Sequence, residues 1–386
     1  MENVTKAPAN AVAVKTARDK AFWKKGLIIA IFSGFLYGGY TSFMTEGMMK
    51  GIWATDIYAD VPSGVAAGVS AFFIIYTVSA IGAACVDLGS AVWSLFYGGC
   101  IGRLGDFKRT LSTRPGKILM LAAVIGGPLA STAYVIGLQM AGSIIVPIAA
   151  LNAAIGAIIG RFAFKQKLTP GMIAGIVICF IAAVIIGSSS MTDLNFSGGA
   201  ALGCLAAFVA ALGWGIEGAV GGYACCMVDT EIAIIIRQCT SGLVNAVILV
   251  SILSIMGGDG IGSGWHVLTA CLTDAPSYWL LFIAGVFSSW SFKFWYKGAA
   301  MCGAALGMGC NGMYAFWGPF WCLIVCGFIF GEEGFNIPAV GWIGALVMVG
   351  GIMLLAISQN KATMAVEEPA PEAAVEEPEP KAPDQE

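Results

Sequence analysis

Long apolar runs, separated by short polar segments, follow one another along most of the chain. We predict ten membrane-spanning helices, at about residues 26–47, 63–86, 117–138, 142–162, 169–188, 199–222, 231–256, 277–298, 301–330 and 338–358. Runs of roughly 20 apolar residues cross the ~30 Å hydrocarbon core of a bilayer. The runs are continuous rather than alternating, which excludes the pattern of a transmembrane β-barrel. The sequence therefore predicts an all-α polytopic membrane protein.

The composition supports this prediction. Hydrophobic residues make up 58% of the 386 positions and charged residues only 11%, whereas ordinary soluble domains carry about 25% charged residues. A soluble protein of this length could not cover its surface with so few charges. We expect a multi-pass protein of the cytoplasmic (inner) membrane, surrounded by the lipid bilayer.

The two ends of the chain are polar. Residues 1–25 are basic and precede an apolar run of spanning length, which is not the pattern of a cleaved signal peptide. Residues 361–386 are rich in Pro, Glu and Ala and lack apolar periodicity. We expect this acidic tail to be disordered and solvated.

Loop charges predict the orientation. The segment 103–117 holds five Lys and Arg residues, and loops of this kind face the cytoplasm. Residues 63–101 are long enough for two spans, but two spans would place this segment on the side opposite to the basic N-terminus. We therefore predict one span at 63–86, with 88–101 as a helix extension or an interfacial piece. Both termini are then cytoplasmic.

The two halves of the chain share a short pattern. "YVIGLQMAGS" at 134–143 and "WYKGAAMCGA" at 295–304 both contain G-x-x-M-x-G. Further on, at 161–187 and 330–356, a polar turn enters a span interrupted by Gly in both halves. The order and spacing of these matches predict an internal repeat.

Five spans per half is an odd number, so the halves at 26–188 and 199–358 must lie in opposite orientations. Inverted repeats are typical of secondary transporters, which alternate two similar halves around a central site. Here the chain resembles the drug/metabolite transporter superfamily. "FAFKQKLTPGMIAG" at 162–175 is similar to its EamA-type pattern, and "YVIGLQMAGSIIVPI" at 134–148 to its rhamnose and glucose-uptake branches. The resemblance covers about 26–358 and implies ten spans in two inverted five-helix repeats.

Three ionisable residues lie inside predicted spans of the second half. They are Glu217, Arg237 and Lys293, on three consecutive helices at a similar depth, with one positive charge in excess. Each costs at least ~2.5 kcal/mol near the bilayer centre and so indicates a function. We predict that Lys293 and Arg237 bind an anionic or hydroxyl-rich substrate and that Glu217 carries a coupling proton. The alternative for the cations is that they snorkel to water or form a structural ion pair.

Further candidate residues are aromatic or polar. Trp290, about one turn from Lys293, could stack on a sugar ring or pack in the core. Asn152 and Asn311 occupy similar places in the two repeats and are candidates for substrate binding or for interhelical hydrogen bonds. Asp87 and Glu46 fall at predicted span ends, where we expect them to be solvated.

The sequence offers no signal for metal or cofactor binding. Most of the twelve cysteines lie in apolar runs, where they act as small hydrophobic residues. The single histidine, His266, is in a Gly-rich segment that we expect to be a loop, and Cys271 is alone in the same loop. We expect no metal site and no cofactor.

Three functions compete. We favour a proton-coupled secondary transporter for a sugar, a sugar acid or a related organic anion. Export of amino acid-like or drug-like metabolites, and a non-transporting receptor or scaffold, are the alternatives. An enzyme is not expected, because H-E-x-x-H, G-x-S-x-G and facing aspartate pairs are missing. The expected partners are a small molecule, the bilayer and H+, with a homodimer left open and no nucleic acid.

Overall fold

The computed structural model describes residues 9–163, 168–193, 198–225, 227–302 and 309–367. Within these ranges the chain forms helices and turns, with no β-strand. The helices are α1 (Ala9–Gly47), α2 (Phe73–Cys100), α3 (Leu104–Leu111), α4 (Arg114–Ala141), α5 (Ile145–Ala149), α6 (Asn152–Ala163), α7 (Pro170–Asp193), α8 (Gly198–Cys225), α9 (Thr230–Met256), α10 (Gly260–Thr273), α11 (Ala275–Cys302), α12 (Gly309–Ile329) and α13 (Ala339–Glu367).

The described helices give seven single candidate spans. They are long and apolar enough to cross a membrane, and lie in α1, α2, α4, α8, α9, α12 and α13. Helices α10 and α11 meet at 86° and make an eighth candidate if they count as one bent span. The segments Ile145–Ile159 and Pro170–Ile186 are apolar but shorter. The chain is thus an all-α multi-pass membrane protein.

The second span differs from its predicted bounds. It begins at Phe73 rather than at residue 63, and it continues without interruption to Cys100. Residues 88–101 are therefore the helix extension that was one of the two expectations. The prediction of a single span here is confirmed, but its start is wrong, because Val61 to Val69 are apolar enough in sequence to extend the run.

Helix α10 was not predicted. The segment that contains it reads "GDGIGSGWHV", and such a density of Gly indicates a loop. Of the glycines in this segment only Gly258 and Gly260 have positive φ, and they form the turn between α9 and α10. His266 and Cys271 consequently lie on a helix, and their prediction as loop residues is wrong.

The C-terminal tail is helical at its beginning. Helix α13 continues to Glu367, so residues 361–367 are not disordered as predicted. The remaining part of the predicted tail, 368–386, lies outside the described residues.

Two spans contain π-helical segments that face each other. Ile125–Leu129 in α4 includes Pro128, which lacks an N–H for the regular helix ladder. Val244–Leu249 is the second segment, in α9. The two segments contact each other, and both contact α2. Single π-helical turns of this kind are frequent at functional sites.

The helices pack around the middle of α1. Helix α1 lies against α11 and α12, while α8 lies against α4 and α6. Helix α2 packs on α9 and α11. Close approach of α2 and α11 depends on Gly285, where a Cβ would meet the Ser90 nitrogen at 2.7 Å. Ser90 in turn donates a hydrogen bond to the Gly285 carbonyl at 2.6 Å.

One end of the bundle is held closed by acidic side chains and Lys50, and we call it the Lys50 end. Lys50 contacts Glu332 at 2.5 Å and Glu46 at 3.0 Å, which joins the end of α1 to the turn after α12. Asp274 accepts a hydrogen bond from the Ile52 nitrogen, and Asp259 from the Ser70 nitrogen. The loops that follow α1, α9, α10 and α12 are thereby tied together.

Asp56 fixes the loop within the Lys50 end. Burial alone would raise its pKa, but hydrogen bonds from the backbone nitrogens of Gly64, Ala66, Val65 and Ser63 outweigh burial and lower the pKa below that of ordinary aspartate. The carboxylate therefore stays ionised and holds the loop from 63 to 66 against the segment Trp53–Ile57.

Candidate functional site

The centre of the site is a buried ion pair between α8 and α9. Arg237 Nε lies 2.9 Å from Glu217 Oε1, and both side chains are 1% exposed. Arg237 Nη1 also donates to Gln238 Oε1 at 2.8 Å. The guanidinium lies 3.7 Å from the ring centroid of Phe292 on α11. Arg237 does not snorkel to water. It forms the ion pair that was the other interpretation of its position.

The backbone of α4 closes one side of this pair. A Cβ added at Gly126 would lie 1.8 Å from Glu217 Oε2. The Gly126 carbonyl accepts a hydrogen bond from Trp214 Nε1 at 2.7 Å. The carbonyl is displaced from the regular helix ladder by the π-helical segment in which Gly126 lies. The sequence "IGGPL" thus explains why the carboxylate of Glu217 can lie so close to the neighbouring helix.

A small central cavity adjoins Glu217. It is lined by Tyr37, Asn152, Trp214, Glu217, Phe292, Trp295, Asn311 and Tyr314. The volume open to the centre of a water molecule is about 10 Å³, which is roughly what one water needs. The cavity therefore brings together Glu217, Asn152 and Asn311 of the predicted site, with Arg237 just behind them.

Several polar atoms at this cavity lack a protein partner. Within the described ranges no hydrogen bond reaches the hydroxyls of Tyr37 and Tyr314, Asn152 Oδ1 or Trp295 Nε1. Asn311 differs, because its Nδ2 donates to Ser33 Oγ on α1 at 3.0 Å. The predicted interhelical hydrogen bond is confirmed for Asn311. Unpartnered buried polar atoms cost free energy unless water or a ligand satisfies them.

Aromatic rings form the walls of the cavity. The ring centroids of Tyr37 and Tyr314 are 4.4 Å apart, and those of Tyr37 and Trp214 are 5.8 Å apart. Tyr134 lies behind them, 5.1 Å from Trp214, and its hydroxyl is 2.8 Å from Thr41 Oγ1. The first half of the chain contributes Tyr37 and Asn152, and the second half contributes the other lining residues.

Asp87 is a buried carboxylate that the sequence analysis did not assign to the site. Its side chain is 4% exposed, and Ser241 Oγ donates to Asp87 Oδ2 at 2.5 Å. The prediction that it is solvated at a span end is wrong. It followed from the predicted bounds of the second span, 63–86, since in the helix Phe73–Cys100 residue 87 lies near the middle. The correct helix bounds would have identified it.

Lys293 lies in a different place from the Glu217–Arg237 pair. Its ammonium is 2.9 Å from Glu231 Oε2, and it lies over the rings of Tyr97 and Trp290 at 4.0 and 4.3 Å. Its side chain is 7% exposed. A small pocket lined by Trp93 and Trp290 among others surrounds this group. Lys293 and Trp290 therefore do not line the central cavity.

The predicted excess of positive charge is also wrong. Lys293 is neutralised by Glu231, and Arg237 by Glu217. Asp87 adds a further carboxylate near Arg237. The prediction failed because Glu231, the first residue of the predicted span 231–256, was not counted among the charges inside spans.

Glu46 is likewise buried rather than solvated. It is 0% exposed and pairs with Lys50 at 3.0 Å. It belongs to the Lys50 end and does not line the central cavity.

Metal ligands are not grouped in the described part of the chain. No three His, Cys, Asp or Glu side chains there are placed to hold an ion.

Comparisons with known proteins give the fold only. No protein-family model matches the chain, and no curated protein is similar to it in sequence. Among solved structures, 21 chains match. One of them, described only as "Crystal structure of protein", covers 88% of this chain and 98% of its own, with a TM-score of 0.50 and 16% identity. The likeness is one of fold alone.

Proposed function

We propose that the protein is a secondary active transporter of a small polar metabolite that works by alternating access. The observation that carries this proposal is the central cavity. It is buried in the bundle, both halves of the chain line it, and it combines aromatic faces with unpartnered polar atoms and an ion pair. Transporter sites are typically formed in this way at the interface of two repeats.

The proposed architecture is ten spans in two inverted repeats. The seven single candidate spans, the bent pair α10–α11 and the two shorter apolar helices together make ten. Helix packing supports the repeat, since the first helix of each half lies against the third helix of the other, as α1 on α11 and α8 on α4. The fifth helices, α7 and α13, pack on each other. Such an exchange of partners is expected of two halves related by a two-fold axis.

The substrate is proposed to be neutral and hydroxyl-rich, as a sugar is. Rings such as Tyr37, Trp214 and Tyr314 offer faces for the apolar side of a sugar, and Asn152 and the tyrosine hydroxyls offer hydrogen bonds. A sugar acid or another organic anion is less well supported than the sequence indicated. The guanidinium of Arg237, the cation next to the cavity, is already neutralised by Glu217.

The structure corresponds to a closed conformation of this transporter. A cavity with room for one water is much smaller than a sugar, so binding requires the halves to separate. Glu217 is proposed to carry the coupling proton. Protonation would release Arg237 from α8 and loosen the contact between α8 and α9 on which closure depends.

The family and topology remain proposals that rest on the sequence. The quoted motifs support the drug/metabolite transporter superfamily, and the loop charges support an inner-membrane protein with both termini in the cytoplasm. Homodimer formation stays open. Export of amino acid-like or drug-like metabolites would use the same fold in the other direction.

Proton flux in proteoliposomes tests the proposal. Vesicles with an internal pH dye receive sugars, sugar acids, organic acids or amino acids outside. We expect a sugar to acidify the lumen and Glu217→Gln to abolish the signal. The control is Glu333→Gln, which changes an exposed glutamate far from the cavity. Acidification by an amino acid alone would favour the alternative substrate class. Absence of any solute movement would favour a receptor or scaffold and contradict the proposal.

A further inference from the structure

Asp87 has no cation of its own among the described residues, although it lies in the middle of the bundle. It accepts a hydrogen bond from the hydroxyl of Ser241 at 2.5 Å, and the side chain of Asn245 lies beside it. Asn245 is 0% exposed, and its Oδ1 has no hydrogen-bond partner within the described ranges. The site thus holds a buried carboxylate and a buried amide oxygen that a proton donor could satisfy.

Charges around Asp87 do not balance. The charged or titratable groups that interact electrostatically with Asp87 are Arg237 on α9, Glu217 on α8 and Tyr40 on α1. Arg237 is paired with Glu217, with Nε 2.9 Å from Oε1 and Nη2 3.4 Å from Oε2. Two carboxylates therefore share one guanidinium, and the cluster carries one negative charge in excess if both are ionised. A net charge in a site this dry is costly, and one bound proton removes it.

The backbone around Asp87 is built to leave room for this arrangement. A Cβ at Gly127, in the π-helical segment of α4, would lie 1.9 Å from Ser241 Oγ. A Cβ at Gly242 would lie 3.0 Å from the backbone oxygen of Asp87. Ser241 packs against Gly127 and donates to Asp87 Oδ2, so a proton on this carboxyl would be borne by Oδ1.

We propose that Asp87 is a second proton-binding carboxylate, which holds the coupling proton while Arg237 is paired with Glu217. The inference deepens the proposed function and rests on it for its transport role. In the closed conformation a proton from water is bound at Asp87 Oδ1, and Ser241 continues to donate to Oδ2. When the halves separate and Arg237 leaves Glu217 for Asp87, the same proton passes from Asp87 to Glu217, so that it stays bound while the conformation changes. One proton is bound in either arrangement.

Infrared spectroscopy tests protonation without relying on transport. We expect the purified wild-type protein at neutral pH to show a carboxylic acid C=O band that shifts when isotope-labelled aspartate is incorporated and does not shift with labelled glutamate. Asp87→Asn should remove the band, whereas Asp60→Asn, at an exposed loop position, should leave it. A band that shifts only with labelled glutamate, or that persists in Asp87→Asn, would overturn the assignment. The labelled wild type gives the answer even where Asp87→Asn fails to fold.

Transport then tests coupling. A gradient of ~1 pH unit should drive about tenfold accumulation of the solute per proton carried. We expect Asp87→Asn to retain solute exchange across the membrane at equal pH but to lose accumulation, and Asp87→Glu to restore part of it. Wild-type accumulation in Asp87→Asn would refute the inference, with or without an aspartate band, because the proton at Asp87 would then not be transported. A wild type that moves no solute would refute the proposed function instead, and the infrared result would still decide whether Asp87 is protonated.

Discussion

Arg237 illustrates how one side chain can be fixed by groups of different chemistry. Glu217 neutralises it, Gln238 accepts from a second nitrogen, and the face of Phe292 covers the guanidinium plane. Lysine could not make this set of contacts, because it lacks the planar fork of donors. The same contacts make the pair expensive to break, since both partners are shielded from water and lipid offers no substitute.

Removal of one member of the Glu217–Arg237 pair should therefore lower the free energy of unfolding more than removal of both members. We expect Arg237→Met to destabilise the protein by about 3–5 kcal/mol, because it leaves Glu217 buried without its cation. The double variant Glu217→Gln/Arg237→Met should recover most of that loss. Equilibrium unfolding in mixed micelles measures both. Equal losses of unfolding free energy in the single and double variants would show that Arg237 stabilises the fold through packing on Phe292 alone.

Residue roles were predictable from the sequence only in part. The sequence placed the charged residues Glu217 and Arg237 inside apolar runs, and a structural ion pair was one interpretation of them. The partner of Lys293 could not be predicted, because Glu231 lies on another helix. The direction of its side chain depends on how α9 and α11 are rotated about their axes. Asp87 was missed for a simpler reason, because the predicted span ended at residue 86, whereas the helix continues to Cys100.

The π-helical segment of α4 matters at the scale of the helix. It displaces the backbone at Gly126 and Gly127, so that the carbonyl of Gly126 is free to accept from Trp214. The same two residues bring the helix backbone within reach of Glu217 and Ser241. A regular α-helix with larger residues at these positions could not approach both α8 and α9.

Gly126→Ala tests this role. The new Cβ would overlap Glu217 Oε2, so we expect the ion pair to be displaced, at a cost of about 1–3 kcal/mol from overpacking. If the proposed function is right, proton-coupled uptake should fall, as we also expect for Glu217→Gln. Gly350→Ala is the matched control, because a Cβ there meets nothing within 4 Å. Similar unfolding curves and similar uptake for the two alanine variants would contradict the role given to Gly126.

Helices were predictable where apolar residues formed long uninterrupted runs, as in α4, α9 and α13. The failures have physical causes. Helix α10 is stabilised by packing on α9 and α2, which overrides the low helix propensity of its glycines. Its 86° angle to α11 depends on the turn at Asp274, whose carboxylate accepts from the Ile52 nitrogen in another part of the chain.

At the scale of the whole molecule, Lys50 joins the end of α1 to the turn after α12. Glu332 first, and Glu46 next, raise the pKa of Lys50 by hydrogen bonding to its ammonium. Since this folded-state pKa is raised, the stabilisation is fully present below the ordinary lysine pKa and is lost only as the pH rises through the raised value. Closure by Lys50 is therefore insensitive to pH in the neutral range.

Glu332→Gln should loosen this end. The pair is partly exposed and contributes about 1 kcal/mol or less, so we expect amide exchange in 323–329 to quicken by up to about fivefold. The acceleration should be the same at neutral and mildly alkaline pH. Glu333→Gln, at the neighbouring exposed position, is the control. Unchanged exchange in Glu332→Gln would show that the hydrogen bonds of Asp274 and Asp259 close the end without Lys50.

The small volume of the closed cavity has a consequence for how affinity can change. In the proposed transporter, the apparent dissociation constant of a solute equals its intrinsic value divided by the fraction of molecules that are open. A substitution that increases the open fraction therefore tightens apparent binding without touching any residue that contacts the solute. Selection for tighter binding would enrich substitutions at Lys50 and Glu332 as readily as substitutions at Tyr37 or Asn152. Substitutions at the Lys50 end and substitutions in the cavity would differ in their effect on the rate of solute association.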